Sequence, residues 1–393
     1  MGKKFLFLLI FLFSSLVFAN PQHPIQVGAE QTQVYLPILQ GKRVGVFANH
    51  SSLIGDTHLV DELLDHNINV TKIFAPEHGF RGDVDARVYD SIDEETGIPI
   101  ISLYGKKLKP SAKDLQDVDV LVFDIQDVGV RFYTYISSLQ KLMEAAVNND
   151  KPLIILDRPN PNGFYVDGPV LDLKYKSFTG MQPIPIVYGM TMGEYAKMLI
   201  GEQWLHVTPK SKANYLELIV IPCVNYSHKS LYVPPVKPSP NLPNIQSIYW
   251  YPSLGLMEAT ALSVGRGTDK PLQIFGHPTL PTQFTFIPTP NSWDKYPLFC
   301  KKVCHGWDLS GSKTEVLRKI NNKLQIAYLI KAYRLFPNKN YFFKGFSAAS
   351  GDDSLQKQIQ AGASETAIRK SWEPKLTAFK KIRKKYLLYR DFE

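Results

Sequence analysis

The chain has 393 residues, of which 44% are hydrophobic, and a formal net charge of +9. This apolar content is ordinary for a folded globular protein and argues against a fibrous or disordered chain. Much of the positive charge lies between Arg369 and Arg390, where Lys and Arg alternate with apolar residues in the pattern of an amphipathic helix. Nucleic-acid binding is not indicated, because the chain has no recognisable nucleic-acid-binding module.

The first 19 residues have the pattern of a secretory signal peptide. Lys3 and Lys4 precede an apolar run over 5–18, and Ala19 fits the small-residue position of a cleavage site. This run is too short to span a bilayer, so an uncleaved membrane anchor is the less favoured alternative. The sequence therefore predicts a periplasmic or secreted protein whose mature chain begins near Asn20.

The next part of the chain alternates buried strands with helices. Strands are predicted at 43–48, 70–74, 118–125, 152–156, 184–188 and 216–221, and helices at 28–39, 59–66 and 134–148. Thr191, with Glu194 three residues later, predicts the start of another helix. This alternation is typical of an α/β domain with a mainly parallel sheet.

A Pro-rich stretch over 232–243 separates this part from the rest and is either a loop over the site or a linker. Beyond it, strands near 273–275 and 284–287 and helices near 256–262, 314–328, 353–361 and 369–390 predict a smaller α+β domain. Because the mature chain is long enough for two domains, we assign residues 20–240 to the first and 241–393 to the second.

Polar side chains follow three of the predicted strands. Glu77 and His78 follow the second strand, and the later two strands are followed by Asp127, Arg131, Tyr133, Asp157, Arg158, Asn160 and Asn162. Because carboxyl ends of parallel strands meet at one edge, these residues predict a common site. Carboxylates beside amides, aromatic rings and Arg suit a carbohydrate. The competing interpretation is that Glu77 only pairs with Arg81 or Arg87 in a loop.

Several common sites are absent from the sequence. It lacks the Gly-x-Ser-x-Gly elbow of serine hydrolases, the His-Glu-x-x-His of zinc peptidases and the Gly-x-Gly-x-x-Gly of dinucleotide-binding folds. Cys300, Cys304 and His305 lack a second ligand pair, and Cys223 stands alone, so unpaired or locally bridged thiols are expected. The sequence therefore predicts neither a metal nor a cofactor.

Five segments carry a resemblance to a known family. They are Ala-Pro-Glu-His-Gly-Phe-Arg-Gly at 75–82, Phe-Asp-Ile-Gln-Asp-Val-Gly-Val-Arg-Phe-Tyr-Thr-Tyr at 123–135, Leu-Asp-Arg-Pro-Asn-Pro at 156–161, Glu-Ala-Thr at 258–260 and Gly-Arg-Gly-Thr-Asp-Lys-Pro at 265–271. With the terminal Lys385 to Tyr389, the chain resembles the bacterial exo-β-N-acetylmuramidases, a glycoside hydrolase family long catalogued as a domain of unknown function. The resemblance covers nearly the whole mature chain.

The resemblance implies an exported enzyme that removes N-acetylmuramic acid from the non-reducing end of peptidoglycan fragments. It also implies a Rossmann-like domain, a smaller C-terminal domain and a site between them. The first loop, Ala-Asn-His-Ser-Ser, departs from the family pattern but keeps Asn49 and His50.

We expect Glu77 to be the essential carboxylate, with His78 as its tuner or proton carrier. Asp127, or less favourably Asp124, is the candidate second acid. The expected substrate-binding residues are Asn49, Arg131, Tyr133, Asp157, Arg158, Asn160, Glu258, Arg266 and Asp269. Among these, Arg131, Arg158 and Arg266 compete for the lactyl carboxylate of the sugar, because a guanidinium binds a carboxylate through two parallel hydrogen bonds.

Two other functions use the same residues. A protein that has lost catalysis would hold muramyl sugars from the cell wall without hydrolysing them. A metal-dependent phosphoesterase would use Glu77, His78, Asp83 and Asp85 as metal ligands, although their spacing is not specific to a metal. The expected partners are peptidoglycan fragments, that is, muramyl saccharides, and neither nucleic acid nor stable membrane insertion after signal cleavage is predicted.

Overall fold

The computed structural model describes residues 23–81, 89–207, 209, 212 and 215–393. The predicted signal peptide lies outside the described residues, as do Asp83, Asp85 and Arg87. None of the helices in the described ranges has both the length and the apolar character that crossing a bilayer requires.

Twelve strands are formed by the described residues. They are β1 (Arg43–Ala48), β2 (Leu53–Ile54), β3 (Thr57–His58), β4 (Asn69–Ala75), β5 (Ser91–Ile92), β6 (Pro99–Ser102), β7 (Val120–Asp124), β8 (Leu153–Leu156), β9 (Leu218–Ile221), β10 (Ile274–His277), β11 (Phe284–Phe286) and β12 (Cys304–Asp308).

The same residues form ten α-helices. They are α1 (Thr32–Leu39), α2 (Leu59–Asp65), α3 (Tyr135–Asn148), α4 (Met192–Gly201), α5 (Ile245–Leu254), α6 (Lys313–Ile320), α7 (Ile326–Leu335), α8 (Phe346–Ser350), α9 (Ser354–Gln360) and α10 (Glu365–Lys384).

Seven strands form the central sheet, in the order β5-β6-β4-β1-β7-β8-β9. The pairs from β6 to β9 are parallel and only the edge strand β5 is antiparallel. All residues of β7 and β8 are buried, as expected of strands covered on both faces. The predicted fold class, a Rossmann-like and mainly parallel α/β sheet followed by a smaller α+β part, is confirmed.

The C-terminal part consists of a three-stranded antiparallel sheet, β10-β12-β11, and several helices. The apolar face of α10 is buried through Ile368, Trp372, Leu376 and Phe379, so the basic stretch is an amphipathic helix with a solvated cationic face. One hydrophobic core includes residues on both sides of the Pro-rich stretch. The domain boundary near residue 240 stays a prediction.

Some predicted elements were wrong. Residues 184–188 do not form a strand, because Pro183 and Pro185 remove backbone donors, and Val187 makes only isolated bridges to Val130 and Asp167. The predicted helix over 314–328 is instead two helices, α6 and α7, separated at Asn321, whose φ is 46°. Strands β2, β3, β5, β6 and β12 were not predicted. All three cysteines are free.

Candidate active site

The Glu77 carboxylate lies just beyond the carboxyl end of β4, between two other loops of the same sheet edge. Its Oε1 accepts a hydrogen bond from the Tyr104 hydroxyl at 2.7 Å, and its Oε2 accepts one from the Thr134 hydroxyl at 3.0 Å. Tyr104 follows β6, which pairs with β4, and Thr134 is the N-cap of α3. Partner groups from two separate elements therefore fix the orientation of a half-buried carboxylate.

The turn after Glu77 has an unusual backbone. His78 has a φ of 72° and Gly79 a φ of 78°, and the Gly79 amide donates to the Pro76 carbonyl at 3.1 Å. A positive φ is uncommon for a residue with a side chain, and such strain clusters at ligand sites. The turn places the half-buried His78 side chain directly after Glu77.

Four aromatic side chains, called here the aromatic cluster, lie beside Glu77: Phe132, Tyr133, Tyr135 and Tyr251. Their ring centroids are 4.7 Å apart for Tyr133 and Tyr135, and 5.2 Å apart for Phe132 and Tyr251. The pKa of Tyr135 is raised mainly by burial, and the negative charge of Glu77 adds to it. Asn49 is buried and donates to the Tyr135 hydroxyl at 2.9 Å, so it holds this ring of the cluster in position.

Asp127 is a buried carboxyl behind the aromatic cluster. Its Oδ2 accepts hydrogen bonds from the Tyr188 hydroxyl and from the Gly129 amide, whereas Oδ1 has no hydrogen-bond partner among the described residues. Burial raises its pKa to about 7, although both of these hydrogen bonds lower it. A carboxyl with this pKa can hold or release a proton near neutral pH.

Arg266 and Glu258 are residues of the C-terminal part that lie near Tyr251 of the aromatic cluster. Both side chains are partly exposed, and Arg266 Nε donates to Glu258 Oε1 at 2.6 Å. The pKa of Tyr251 is raised by burial and then by Glu258, lowered by Arg266, and raised again by Glu77 and Asp127. Tyr251 thus lies within electrostatic reach of groups from both parts of the chain. The region around Tyr251 that includes Glu77, Glu258 and Arg266 is called here the cleft.

Two arginines of the predicted site have structural partners instead. Arg131 is fully buried and donates to the carbonyls of Pro169, Ile184 and Ala349, and burial lowers its pKa to about 9. Arg158 is also buried and forms a two-pronged pair with Asp124. Neither guanidinium is exposed, so the structure does not support Arg131 or Arg158 as the ligand of the lactyl carboxylate. Asp124 is paired with Arg158, so it is not supported as an alternative acid.

Asp157 and Asn160 also serve the fold. Asp157 is fully buried and accepts from the Thr191 hydroxyl at 2.7 Å, from the Gly193 amide at 2.9 Å and from the Tyr389 hydroxyl at 2.5 Å. It therefore stabilises the N-terminus of α4, whose predicted capping box is present. Asn160 is buried, and its amide donates to the Met190 carbonyl at 2.8 Å. Both side chains are buried with partners in the fold, so the structure does not support their predicted roles in substrate binding.

Two more predicted binding residues, Tyr133 and Asp269, and the predicted ion-pair partner Arg81 have different surroundings. Tyr133 belongs to the aromatic cluster, and its hydroxyl donates to the Pro238 carbonyl at 2.9 Å. Asp269 is exposed and lines a surface pocket with Lys270 and Phe284. Arg81 pairs with Asp93 and Glu95, so the proposed pairing of Glu77 with Arg81 is wrong.

No cluster of three or more His, Cys, Asp or Glu side chains that could hold a metal ion occurs within 23–81, 89–207, 209, 212 or 215–393. Two of the four predicted ligands of the phosphoesterase hypothesis, Asp83 and Asp85, lie outside these ranges.

Three residues that shape the site were not predicted from the sequence: Tyr104, Thr134 and Tyr251. Thr134 carried a usable signal, since a Thr directly before a helix is a preferred N-cap with its hydroxyl near the helix end. Tyr104 could not be placed because β6 was not recognised as the neighbour of β4. Tyr251 lies in α5, a helix that begins at the Asn244 cap and was not predicted.

Family models match almost all of the described chain. The model described as Exo-beta-N-acetylmuramidase NamZ, N-terminal, matches residues 44–246, and the corresponding C-terminal model matches residues 249–389. The chain belongs to the exo-β-N-acetylmuramidase family. The resemblance inferred from the sequence motifs is therefore confirmed.

Individual proteins are similar to this chain over nearly their full length. The peptidoglycan β-N-acetylmuramidase NamZ of Bacillus subtilis (strain 168) is 36% identical over 378 residues, which cover 90% of this chain and 89% of the relative. A crystal structure of a DUF1343 family protein from Bacteroides fragilis NCTC 9343 has 46% identity and a TM-score of 0.86, covering 94% of this chain and 100% of that one. A second such protein from the same strain has 29% identity and a TM-score of 0.74, with coverages of 93% and 99%.

The raised pKa of Asp127 makes a prediction about stability. The pKa of Asp in an unfolded chain is about 3.9, and that of the folded carboxyl is about 7. The folded protein therefore binds this proton more tightly, so ionisation destabilises it progressively as the pH rises from about 4 to about 7. We expect the Asp127→Asn variant to gain melting temperature relative to the wild type as the pH rises across this window.

The measurement is thermal unfolding of both proteins at several pH values. Asp65→Asn, at an exposed position at the end of α2, is the matched control and should show no such divergence. Parallel pH profiles for the wild type and Asp127→Asn would contradict a proton held at Asp127.

Proposed function

We propose that this protein is an exported exo-glycosidase that hydrolyses β-linked N-acetylmuramic acid from the non-reducing end of peptidoglycan-derived saccharides, in turnover or recycling of the cell wall. The protein is a glycoside hydrolase by family, and its Bacillus subtilis relative is named as a peptidoglycan β-N-acetylmuramidase. The observation that carries the catalytic assignment is the Glu77 carboxylate, held by Tyr104 and Thr134 at the carboxyl edge of the sheet.

Glu77 is the group we assign to proton transfer at the glycosidic oxygen. Protonation of that oxygen allows the bond to the sugar carbon to break, and a water molecule then supplies the new hydroxyl. Two hydroxyl donors hold the carboxylate in one orientation, which is the positioning that such a transfer requires. The acetamido group of the sugar can itself attack the anomeric carbon, so the reaction does not require a carboxylate nucleophile.

His78 and Asp127 are the other two proposed proton carriers. His78 follows Glu77 directly, in the strained turn. Asp127 is the second acid candidate, because it is buried behind the aromatic cluster with a pKa of about 7, and one of its oxygens has no partner among the described residues. Its burial favours exchange of a proton through the neighbouring hydroxyls over direct contact with the sugar.

Arg266 is the guanidinium we propose for the lactyl carboxylate of the substrate. Of the three arginines considered from the sequence, Arg266 alone keeps partly exposed side-chain surface, since Arg131 and Arg158 are buried with other partners. Glu258 contacts its Nε and Nη2, which orients the planar group. The carboxylate separates muramic acid from glucosamine, so this contact would set specificity.

We expect Glu77→Gln to fold normally and to lose turnover of a β-linked muramyl disaccharide by about 10²–10⁴-fold or more, the range that acid–base assistance supplies. Gln keeps the shape and can still accept a hydrogen bond from Tyr104 or Thr134, but it cannot donate a carboxyl proton. The measurement is release of free N-acetylmuramic acid, with circular dichroism as the folding control.

Glu373→Gln, at an exposed position of α10, is the matched variant and should retain full activity. Near-normal turnover by folded Glu77→Gln would refute its role and make Asp127 the leading candidate. A wild-type protein that binds the disaccharide without releasing sugar would instead favour the non-catalytic binding function.

Arg266→Ala should act mainly through KM. Loss of the guanidinium removes a contact made equally in the bound substrate and in the transition state, so kcat should change little. Selectivity for muramyl over glucosaminyl substrates should fall as well. Steady-state kinetics on both substrates test this, with Arg266→Lys expected to recover only part of the selectivity because an ammonium cannot bind a carboxylate with two parallel bonds. Unchanged selectivity in Arg266→Ala would exclude the lactyl role.

The extracytoplasmic location remains part of the proposal and rests on the N-terminal sequence pattern. We expect the mature N-terminus to lie close to Asn20 and the protein to fractionate with periplasmic or secreted proteins. N-terminal sequencing that finds Met1 on a cytosolic protein would overturn this location without affecting the enzymatic assignment.

A further inference from the structure

A segment of the C-terminal part lies against the cleft and is not used by the mechanism above. This segment, called here the arm, comprises residues 288–298 between β11 and β12. It is attached beside Arg266, because the Thr289 amide donates to the Gly267 carbonyl at 2.8 Å. Gly267 has a φ of +77°, and a Cβ there would lie 2.6 Å from a Pro297 side-chain carbon. The arm is therefore packed tightly at this point.

The arm presents Trp293 to the Pro-rich stretch. Lys237 places its Nζ 3.8 Å from the centre of the Trp293 ring, a cation–π contact. The Asn291 side-chain oxygen accepts from the Trp293 amide at 2.9 Å, which fixes the turn that carries the ring. Trp293 is half-buried, so part of its surface stays open to solvent.

Lys237 belongs to a segment that two residues of the sheet edge hold in place. Its carbonyl is hydrogen-bonded to the His50 Nε2 at 2.8 Å, and the next carbonyl, that of Pro238, accepts from the Tyr133 hydroxyl at 2.9 Å. His50 follows β1 in the middle of the sheet, and Tyr133 belongs to the aromatic cluster. The Pro-rich stretch therefore crosses the rim of the cleft, and Trp293 packs against it through Lys237.

The negative charge of Asp294 acts on Arg266, so the arm lies within electrostatic reach of that guanidinium. Burial lowers the pKa of Arg266, but Glu258 and, more weakly, Asp294 raise it above its usual value. Asp294 directly follows Trp293, so the residue that contacts Lys237 is next in the chain to one whose charge reaches Arg266. The arm therefore connects the Pro-rich stretch, through Trp293, with the surroundings of Arg266, through Asp294 and Thr289.

We propose that Trp293, steadied by Lys237, forms the binding subsite for the sugar on the leaving-group side of the scissile bond. This inference rests on the proposed function and assigns the Pro-rich stretch the role of positioning the subsite. Its ligand is a 2-acetamido sugar joined through its hydroxyl to the muramic acid. The C–H face of a pyranose is apolar and packs against an aromatic ring, whereas its hydroxyls stay in water.

The subsite predicts different effects on the two reaction products. Trp293→Ala should weaken binding of free N-acetylglucosamine roughly 2- to 10-fold, the range expected for loss of one aromatic contact, and leave binding of free N-acetylmuramic acid unchanged. Trp293→Phe should restore most of the affinity for N-acetylglucosamine. Titration of each sugar followed by NMR measures this directly and needs no turnover, so it is independent of whether the enzymatic assignment holds.

Kinetics give a second readout. On the muramyl disaccharide, Trp293→Ala should raise KM by a similar factor with little change in kcat, and Lys237→Met should have a smaller effect in the same direction. Tyr341→Ala, at an aromatic residue that is 70% exposed in a different part of the chain, is the matched control and should change neither quantity.

Three outcomes would overturn the subsite: no binding of N-acetylglucosamine to the wild type, equal weakening of both sugars in Trp293→Ala, or unchanged affinity for both. Failure of the wild type to release muramic acid, with the titration result intact, would instead remove the enzymatic assignment and leave a sugar-binding rim.

Discussion

The parallel pairing of β4, β1, β7 and β8 is the constraint on which the site depends. It brings the carboxyl ends of these strands to one edge, so the loops after them meet although they are far apart in sequence. Glu77 enters from the loop after β4 and is held by Thr134, which lies 57 residues further along the chain. The C-terminal part adds Tyr251 and Arg266 to this edge, since Tyr251 lies within electrostatic reach of both Glu77 and Arg266.

Most polar groups at the edge stabilise the loops and are not free to bind a ligand. A buried polar group without a partner is costly, so a loop that crosses the end of a sheet must satisfy its own donors and acceptors. Asp157 does this for α4, Arg158 is paired with Asp124, and Arg131 binds three carbonyls. Glu77 and Arg266 differ because they keep exposed surface, which is why we assign the chemistry and the specificity to them.

The predictability of these features follows from the range of the interactions involved. β7 could be predicted because its first four residues, 120–123, are consecutive apolar residues, and Glu77 because it follows such a run. The hydrogen-bond partners of the arginines could not be predicted, because they lie far away in the sequence. Arg131, for example, donates to the carbonyl of Ala349, 218 residues away. Likewise, the bond from Tyr104 to Glu77 depends on pairing of β6 with β4, and β6 is short and begins with Pro99.

The most direct test of the account is a crystal structure of the Glu77→Gln variant with a β-linked muramyl disaccharide bound. The glycosidic oxygen should lie within hydrogen-bond reach of the residue-77 side chain, about 2.6–3.2 Å away. The lactyl carboxylate should lie at Arg266 and the second sugar over Trp293. A disaccharide bound in the cleft with its glycosidic oxygen far from residue 77, or bound elsewhere on the protein, would contradict the central claim.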